Sequence, residues 1–270
     1  WWIQPGSTNG PLVTTGPAST DGILDRPGVI VLCDSDTLGP RAFSGMRVEM
    51  GWWFDRNSQA GLTISGFLLE SRMRSFRATS DADGFPVLAR PTIIAQTGDN
   101  TSELVAFPGA FAGTIRVASR SQLGGFDVDF LGSPLMNAAW NVHGILGFRY
   151  LQLNESLDIS QRTFILAQGI SGFGPGILLE PNGLFFHDRF ATTNRFYGGQ
   201  IGFRAARDLG PLSLDLTGKL ALGCSQQSLS VLGSTTHLTP QSAVATLPGG
   251  VLALPTNMGN FATSDFAVAA

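Results

Sequence analysis

Charged side chains are scarce in this chain. Asp, Glu, Lys and Arg make up 14% of its 270 residues, against about 25% in ordinary soluble domains. Lys219 is the only lysine, so that nearly all of the positive charge is carried by arginine. The formal net charge of -3 and the pI of about 5.6 give no electrostatic reason to expect a nucleic-acid partner.

Long apolar runs are also missing. No run reaches the length of about 18 residues that a membrane-spanning α-helix needs, although hydrophobic residues make up 43% of the chain. Glycine and proline, with 34 and 15 residues, interrupt the chain too often for long helices. The apolar residues are therefore expected in alternating segments, which is the pattern of half-buried β-strands.

Residues that usually catalyse reactions or bind metals are few and scattered. Cys33 and Cys224 are far apart in sequence without a metal-type spacing, and they are either paired or free. His143, His187 and His237 are not clustered, and no serine lies in a G-x-S-x-G motif. We therefore predict no enzyme activity, no metal site and no cofactor.

The clearest pattern lies between residues 194 and 223. From Leu212 to Leu222 every even position is leucine or glycine, while the odd positions are Ser, Asp, Thr, Lys and Ala. The stretch from Tyr197 to Ala205 alternates in the same way, and turn-forming residues at 208–211 join the two segments. A strand with this period has one apolar and one polar face, which predicts a long antiparallel hairpin.

The length of the arms points to a membrane. Strands of soluble proteins average about 5 to 6 residues, whereas a tilted strand that crosses a bilayer needs about 9 to 11. Each arm of the hairpin offers roughly a dozen, which is typical of transmembrane β-barrels. Similar alternation predicts further strands over residues 41–54, 61–77, 114–130 and 138–164.

Two of these strands carry a further local feature. Within 114–130 the apolar residues change parity around Gly124 and Gly125, which predicts a β-bulge at that point. Arg72, Arg74 and Arg77 close the strand 61–77. They are either a solvated strand end or an anion-binding or lipopolysaccharide-contacting cluster.

The links between the predicted strands fall into two classes. Three short turns, at 55–59, 132–137 and 208–211, alternate with four long segments that lack a sustained period. Outer-membrane barrels have short periplasmic turns and long outer loops, whereas a soluble β-sandwich has no reason to sort its links. The long segments span about 3–40, 78–112, 166–190 and 233–264.

The polar and apolar strand faces give two sets of candidate residues. The charges of the polar set sum to zero, and an unpaired buried charge costs several kcal/mol, so mutual pairing is predicted; a selective pore would show an excess of one sign. The lumen-facing candidates are Arg47, Glu49, Asp127, Asp129, His143, Arg149, Gln200, Arg204, Asp215 and Lys219. The lipid-facing candidates are Trp52, Trp140, Phe148, Tyr197, Leu212, Leu214, Leu216, Leu220 and Leu222.

Two carboxylate arrangements leave alternatives open. Asp127 and Asp129 share a strand face, and they form either an acid pair or cation site or, as is commoner, carboxylates matched by arginines opposite. His187 and Asp188 lie near the end of a long segment, where barrel enzymes can keep sites at the rim.

Several sequence blocks resemble the beta-barrel porin family of the BBP7 type, found in planctomycete-like bacteria. The resemblance implies an outer-membrane barrel of about ten strands, truncated here at both ends to about six full strands and two stubs. It transfers no catalytic residues. The blocks are PLVTTG (11–16), VLARP (87–91), SELVAFPG (102–109), GFRYLQLNESL (147–157), NRFYGGQIG (194–202), LDLTGKLALG (214–223) and PGGVLALPTNMG (248–259).

The predicted fold is thus all-β, an antiparallel up-and-down transmembrane β-barrel that forms a single domain over residues 1–270 of a bacterial outer-membrane protein. The first functional hypothesis is porin-like passage of small solutes. The alternatives are a non-conducting structural or surface-interaction barrel with a charge-paired lumen, and a secreted soluble β-sandwich binding domain. The expected partners are outer-membrane lipid and small solutes, with no nucleic acid and an open oligomeric state.

Overall fold

Two antiparallel sheets form the framework of the computed structural model, which describes residues 10–39, 42–136, 140–166, 183–238 and 245–269. One sheet has nine strands and the other has four. The helices in these ranges are a short 3-10 turn, Ala18–Thr20, and one short α-helix, α1, Ser35–Leu38. None of the described helices is long and apolar enough to cross a membrane. The predicted all-β, antiparallel class is confirmed.

The two sheets draw their strands from different parts of the chain. The small sheet has the order β2-β1-β6-β7, and the large sheet runs β12-β11-β10-β9-β8-β4-β3, with β13 also paired to β11 and β5 also paired to β8. The strands are β1 Val13–Thr15, β2 Ile30–Cys33, β3 Gly45–Trp53, β4 Ala60–Leu69, β5 Arg72–Thr79, β6 Leu88–Ile93, β7 Asn100–Ala106, β8 Phe111–Met136, β9 Asn141–Ile165, β10 Gly183–Leu209, β11 Leu212–Leu238, β12 Ala245–Pro248 and β13 Gly259–Ala269.

The four central strands of the large sheet, β8 to β11, are unusually long. They have 26, 25, 27 and 27 residues, more than twice the roughly 9 to 11 that cross a bilayer. The predicted hairpin is confirmed: β10 and β11 pair without interruption from Gly183↔Leu238 to Leu209↔Leu212. Gly210, at a φ of 76°, and Pro211 make the tight turn between them.

The two ends of the large sheet differ in their links. At the end that we call the short-turn end, residues 54–59 join β3 to β4 and residues 210–211 join β10 to β11. Residue 137, the last of the predicted turn at 132–137, lies outside the described ranges, but β8 continues to Met136, so strand replaces the rest of that turn. The opposite end, where β8 begins and β11 finishes, is the long-link end.

The segments predicted as long irregular links contain much regular structure. The small sheet is built from residues 13–15, 30–33, 88–93 and 100–106, which the sequence analysis assigned to such links. Residues 183–190 belong to β10, and β11 extends to Leu238. These loop assignments are therefore wrong, because strands of only three to seven residues are too short to show a period of two between glycines and prolines.

The predicted β-bulge at Gly124 and Gly125 is also wrong. The pairing of β8 with β9 runs in constant register past both glycines, and its one register shift lies between Gly132 and Leu135. The glycines instead lie where the other edge of β8 changes partner, since Leu68 of β4 pairs with Gly124 while Arg72 of β5 pairs with Ser121. The predicted strand 61–77 is accordingly two strands.

The apolar residues of β8 change from odd to even positions for another reason, which is that one face of the strand is covered by the small sheet at one end and not at the other. From Phe111 to Gly132 the odd-numbered residues of β8 lie on the same face, because the register with β9 is constant there. Near the long-link end that face carries Ile115 and Val117, which are fully buried against the small sheet, and near the short-turn end it carries Asp127 and Asp129. The core between the sheets consists of Val13, Cys33, Leu38, Leu88, Val105, Ala106, Ile115, Val117 and Ile159.

A buried ion pair ties the small sheet to the large one. Arg90 of β6 donates from Nη2 to Asp188 Oδ2 of β10 at 2.6 Å, and their side chains are 2% and 0% exposed. The other oxygen of Asp188 accepts the backbone N–H groups of Leu252 and Ala253, at 3.0 and 2.8 Å. Burial raises the pKa of the neighbouring Glu103, although the positive charge of Arg90 opposes this shift.

We predict that Asp188→Asn lowers the free energy of unfolding by about 3–5 kcal/mol, because it leaves the Arg90 guanidinium buried without a counter-charge. Urea unfolding in detergent micelles, followed by tryptophan fluorescence, measures the change. Asp158→Asn is the matched control, since this partly exposed carboxylate lies 3.7 Å from the half-exposed Arg189 and pairs near the surface contribute about 0–1 kcal/mol. Equal losses in both variants would contradict the assignment.

Candidate functional site

The candidate site is the face of the large sheet that carries its charges near the short-turn end. All ten residues predicted to face a lumen lie on this face, two on each of five strands. The cross-strand register fixes this placement, since Ser65 of β4 is opposite both Glu49 and Asp127, and Asp127 is opposite Arg149. We call its eight ionisable residues other than histidine the charge cluster: Arg47, Glu49, Asp127, Asp129, Arg149, Arg204, Asp215 and Lys219.

Contacts within the charge cluster show that this face is concave. Arg204 of β10 lies 3.8 Å from Glu49 of β3, although three strands separate them and a flat sheet would hold these strands about 19 Å apart. Lys219 of β11 reaches across two strands to Asp129 at 2.5 Å. The rings of Trp53 and His143 are 5.1 Å apart across the same concavity. The sheet must therefore curl strongly towards this face.

Every member of the charge cluster has a partner of opposite sign. Lys219 also lies 3.5 Å from Asp127, and Asp127 accepts from Arg149 Nε at 2.9 Å. Arg204 Nη2 donates to Asp215 at 2.5 Å, and Arg47 lies 3.6 Å from Glu49. The predicted mutual pairing is confirmed, and the basic partners of Asp127 and Asp129 correspond to the commoner of the two readings for these carboxylates.

Burial within the charge cluster is graded. The side chain of Asp129 is 3% exposed and that of Lys219 is 13% exposed, whereas Arg47 and Glu49 are nearly half exposed. Gln200 also donates to Asp129, and its own Oε1 has no partner among the described residues. The cluster surrounds an open cavity of about 470 Å³. A polar cavity with balanced charges can hold water and small polar solutes without strong preference for either sign of charge.

The structure does not support a catalytic or metal site in the described ranges. His187 and Asp188 point to opposite faces of β10, and His187 lies 3.8 Å from Asp158 rather than beside Asp188. No group of three His, Cys, Asp or Glu residues in these ranges could hold a metal ion. Both cysteines are free, Cys33 buried and Cys224 exposed.

The proposed arginine cluster is divided as well. Arg72 pairs with Glu70 at 2.6 Å. Arg74 and Arg77 lie on opposite faces of β5, since they are three residues apart in one strand. An anion site that needs all three arginines is therefore wrong.

The convex face opposite the charge cluster is apolar and uncovered in the described structure. All nine residues predicted to face lipid lie on this face. Leu212 and Trp52 are 69% and 72% exposed, although large apolar side chains are normally buried in soluble proteins. The apolar zone is bounded near the short-turn end by Trp140, with the Arg207 guanidinium 5.5 Å from its ring centroid.

A row of aromatic side chains bounds the apolar zone on the other side, and we call it the aromatic row. The two tyrosines of the chain, Tyr150 and Tyr197, are direct cross-strand partners. Phe126 is opposite Tyr150, and Phe266 follows after Cys224 in the same row. Sequence reasoning missed this row because each aromatic residue lies on a different strand, and only the register brings them together.

The aromatic row also marks where the polarity of both faces of the sheet changes. Beyond it the convex face carries Gln152, Asn154 and Arg195, while the concave face carries apolar residues such as Leu123 and Leu153. At about 3.3 Å per residue and a tilt of about 40°, the interval from Tyr197 to Arg207 spans about 25 Å in height. This is the height of the apolar band of a transmembrane barrel.

A curved antiparallel sheet with charges on its concave face and an apolar band on its convex face has the polarity that the wall of a transmembrane β-barrel shows. The chain belongs to the family described as "Putative beta barrel porin-7 (BBP7)", whose model matches residues 1–270. Membership of a porin family implies a non-enzymatic protein. Neither the curated proteins nor the solved structures include a match to the chain.

We predict that Lys219→Met lowers the free energy of unfolding by about 3 kcal/mol, because it leaves the buried carboxylate of Asp129 without its cation. Arg47→Gln is the control at the exposed edge of the same cluster, with an expected loss below about 1 kcal/mol. Lys219→Arg should restore most of the stability. Urea unfolding in micelles measures all three, and a larger loss for Arg47→Gln would contradict the assigned order of burial.

Proposed function

We propose that this chain forms most of the wall of a β-barrel in a bacterial outer membrane. The observation that carries the proposal is the exchange of polarity between the two faces at the aromatic row. A soluble protein gains nothing from an apolar convex face over a charged concave one, because burial of apolar surface in water favours the opposite arrangement. A bilayer with an apolar core about 25 to 30 Å thick requires the apolar convex face.

The barrel closes through further strand pairing at the free edges of the curved sheet. Within the described ranges, β3 pairs only with β4, and β13 pairs only with β11. Edges of this kind expose unpaired backbone N–H and C=O groups, which do not occur facing lipid and which soluble proteins protect from further pairing. The strong curl towards the charge cluster brings these two edges closer, so that additional strands of the same barrel can join them.

The function that this geometry supports best is porin-like passage of small solutes. The cavity of about 470 Å³ beside the charge cluster is polar and open. Because the cluster carries no net charge, the passage should discriminate weakly between anions and cations. Towards the long-link end the small sheet packs on the concave face, and it narrows the passage there.

A second function, a non-conducting structural or surface-interaction barrel, is favoured by two observations. Every charge of the cluster is already paired within the chain, and the core of nine apolar residues joins the small sheet firmly to the large one. A barrel with such an interior is filled rather than open at its outer end. In that case the long-link end is the working surface.

Single-channel recording separates these two functions. We expect the full-length protein, folded in detergent and added to a planar lipid bilayer, to give small conductance steps with weak ion selectivity, because the passage is narrow and charge-balanced. A shift in gel mobility between boiled and unboiled samples first shows that the preparation is folded. A folded preparation with no conductance above the lipid background would leave only the non-conducting barrel.

Cys224 gives a separate test of the membrane location. It lies in the aromatic row, whereas Cys33 is fully buried and burial raises the pKa of the Cys33 thiol to about 11, so that thiol reagents should modify only Cys224. A fluorophore on Cys224 should be quenched by spin-labelled lipids in proteoliposomes and hardly at all by aqueous iodide.

The matched control for this test is Cys224→Ser with Ser225→Cys, which moves the fluorophore to the opposite face of β11. Lipid quenching at this position should be clearly weaker than at Cys224. Equal lipid quenching at both positions, or quenching of Cys224 by iodide alone, would exclude a lipid-facing convex surface and favour the secreted β-sandwich.

A further inference from the structure

The convex face beyond the aromatic row carries an excess of arginine. On strands β5, β8, β9 and β10 this part of the face has six arginines and a single acidic residue, Asp158. The chain as a whole has a formal net charge of -3, so the positive charge here is a local feature. The arginines are Arg77, Arg116, Arg120, Arg162, Arg189 and Arg195, and we call them the arginine ladder.

Most of the arginine ladder has no counter-charge in the described part of the chain. Only Arg189 lies near a carboxylate, 3.7 Å from Asp158, and this pair is half exposed. Arg77 and Arg116 are direct cross-strand neighbours, an arrangement that destabilises a sheet when both charges are unpaired. On the concave face, by contrast, every charge of the cluster is paired. An external anion is therefore the natural partner of the ladder.

The ladder extends far beyond the depth of a lipid headgroup. Arg195 lies next to the aromatic row, about 7 Å along its strand from Tyr197, and Arg162 lies about 40 Å from Tyr150 along β9. The corresponding heights are roughly three quarters of these lengths in a tilted barrel. Headgroups occupy only about 5 to 8 Å on each side of a bilayer. A phospholipid could thus reach Arg195 but not the outer arginines.

The surroundings of Arg195 fit a sugar as well as an anionic group. It borders a cavity of about 320 Å³ together with the side chains of Thr193, Gln226, Ser228 and Ser264. Hydroxyl and amide groups both donate and accept hydrogen bonds, as sugar hydroxyls require. The guanidinium adds a charge-assisted contact for a phosphate or carboxylate.

From this geometry we propose that the arginine ladder binds an anionic glycolipid of the outer leaflet, a lipopolysaccharide-type molecule. Its lipid-proximal phosphate lies at Arg195, and the acidic groups of its glycan lie along Arg120, Arg116 and Arg77. The partner must be anchored at the headgroup level and extend outwards, because Arg195 lies at that level and the other arginines of the ladder lie farther out. This inference rests on the proposed membrane location of the chain.

The test measures which lipid collects around the protein. The full-length protein carries a donor fluorophore on Cys224 and is reconstituted in phosphatidylcholine vesicles with a trace of acceptor-labelled lipopolysaccharide or acceptor-labelled phosphatidylglycerol. Energy transfer reports the local enrichment of each lipid. We expect several-fold enrichment of lipopolysaccharide over phosphatidylglycerol, and a loss of this preference as salt screens the guanidinium charges.

Matched variants identify the surface that is responsible. Arg116→Gln with Arg195→Gln should remove most of the several-fold preference for lipopolysaccharide, because two charge-assisted contacts are lost. Arg56→Gln with Arg74→Gln removes the same charge from the short turn and from the opposite face of β5, and should leave the enrichment unchanged. All variants must retain the heat-dependent gel shift of the parent protein.

Three outcomes would overturn the inference. The first is equal enrichment of the two lipids around the protein, and the second is an equal loss of enrichment in both double variants. The third is full enrichment of a lipopolysaccharide that has been stripped of its glycan, which would mean that only headgroup charge is recognised. Quenching of the Cys224 fluorophore by spin-labelled lipid is recorded on the same preparation. A protein that inserts but shows no preference contradicts the glycolipid site alone, whereas a protein that fails to insert contradicts the proposed membrane function.

Discussion

The structure depends on the strict alternation of side chains along strands of 25 to 27 residues, whose one register shift, between β8 and β9, lies near the short-turn end. In such a strand a residue cannot change face without a bulge, and the three central strand pairs have no shift near the aromatic row. The two faces must therefore exchange polarity together where the surroundings change. On the short-turn side the convex face is apolar and the concave face charged. On the long-link side the convex face is polar, and the concave face packs against a small sheet.

The charge cluster lies on the concave face of this sheet, and its ion pairs join strands that the curvature brings together. Charges on a concave, partly buried face need partners, and two strands lie between Lys219 and Asp129, while three lie between Arg204 and Glu49. The curl of the sheet and the pairing of the charges are thus mutually dependent. A cluster that is fully paired leaves little net field inside the cavity, which separates this interior from that of a strongly ion-selective pore. On the convex face, by contrast, the arginines of the ladder other than Arg189 have no counter-charge among the described residues.

Two of the sequence blocks that resemble the family meet at the Arg90–Asp188 ion pair. Arg90 belongs to the VLARP block, and Leu252 and Ala253, whose backbone N–H groups bind Asp188, belong to PGGVLALPTNMG. Gly250 of the latter lies so close to Asp188 that a Cβ atom there would overlap its carboxylate. These blocks therefore hold the small sheet on the wall of the large one.

The sequence by itself determined the all-β class, the antiparallel hairpin, the two polarities of each strand and the balance of charge on the polar face, because a period of two is a local property that long strands display clearly. It misplaced the bulge and missed the small sheet, since short strands show no period and since the surroundings of a face depend on what packs against it. Only the tertiary structure decided which strand lies opposite which. That register assembles the aromatic row, brings Arg204 to Glu49 and sets Arg77 beside Arg116, because contacts across strands depend on residues far apart in the chain.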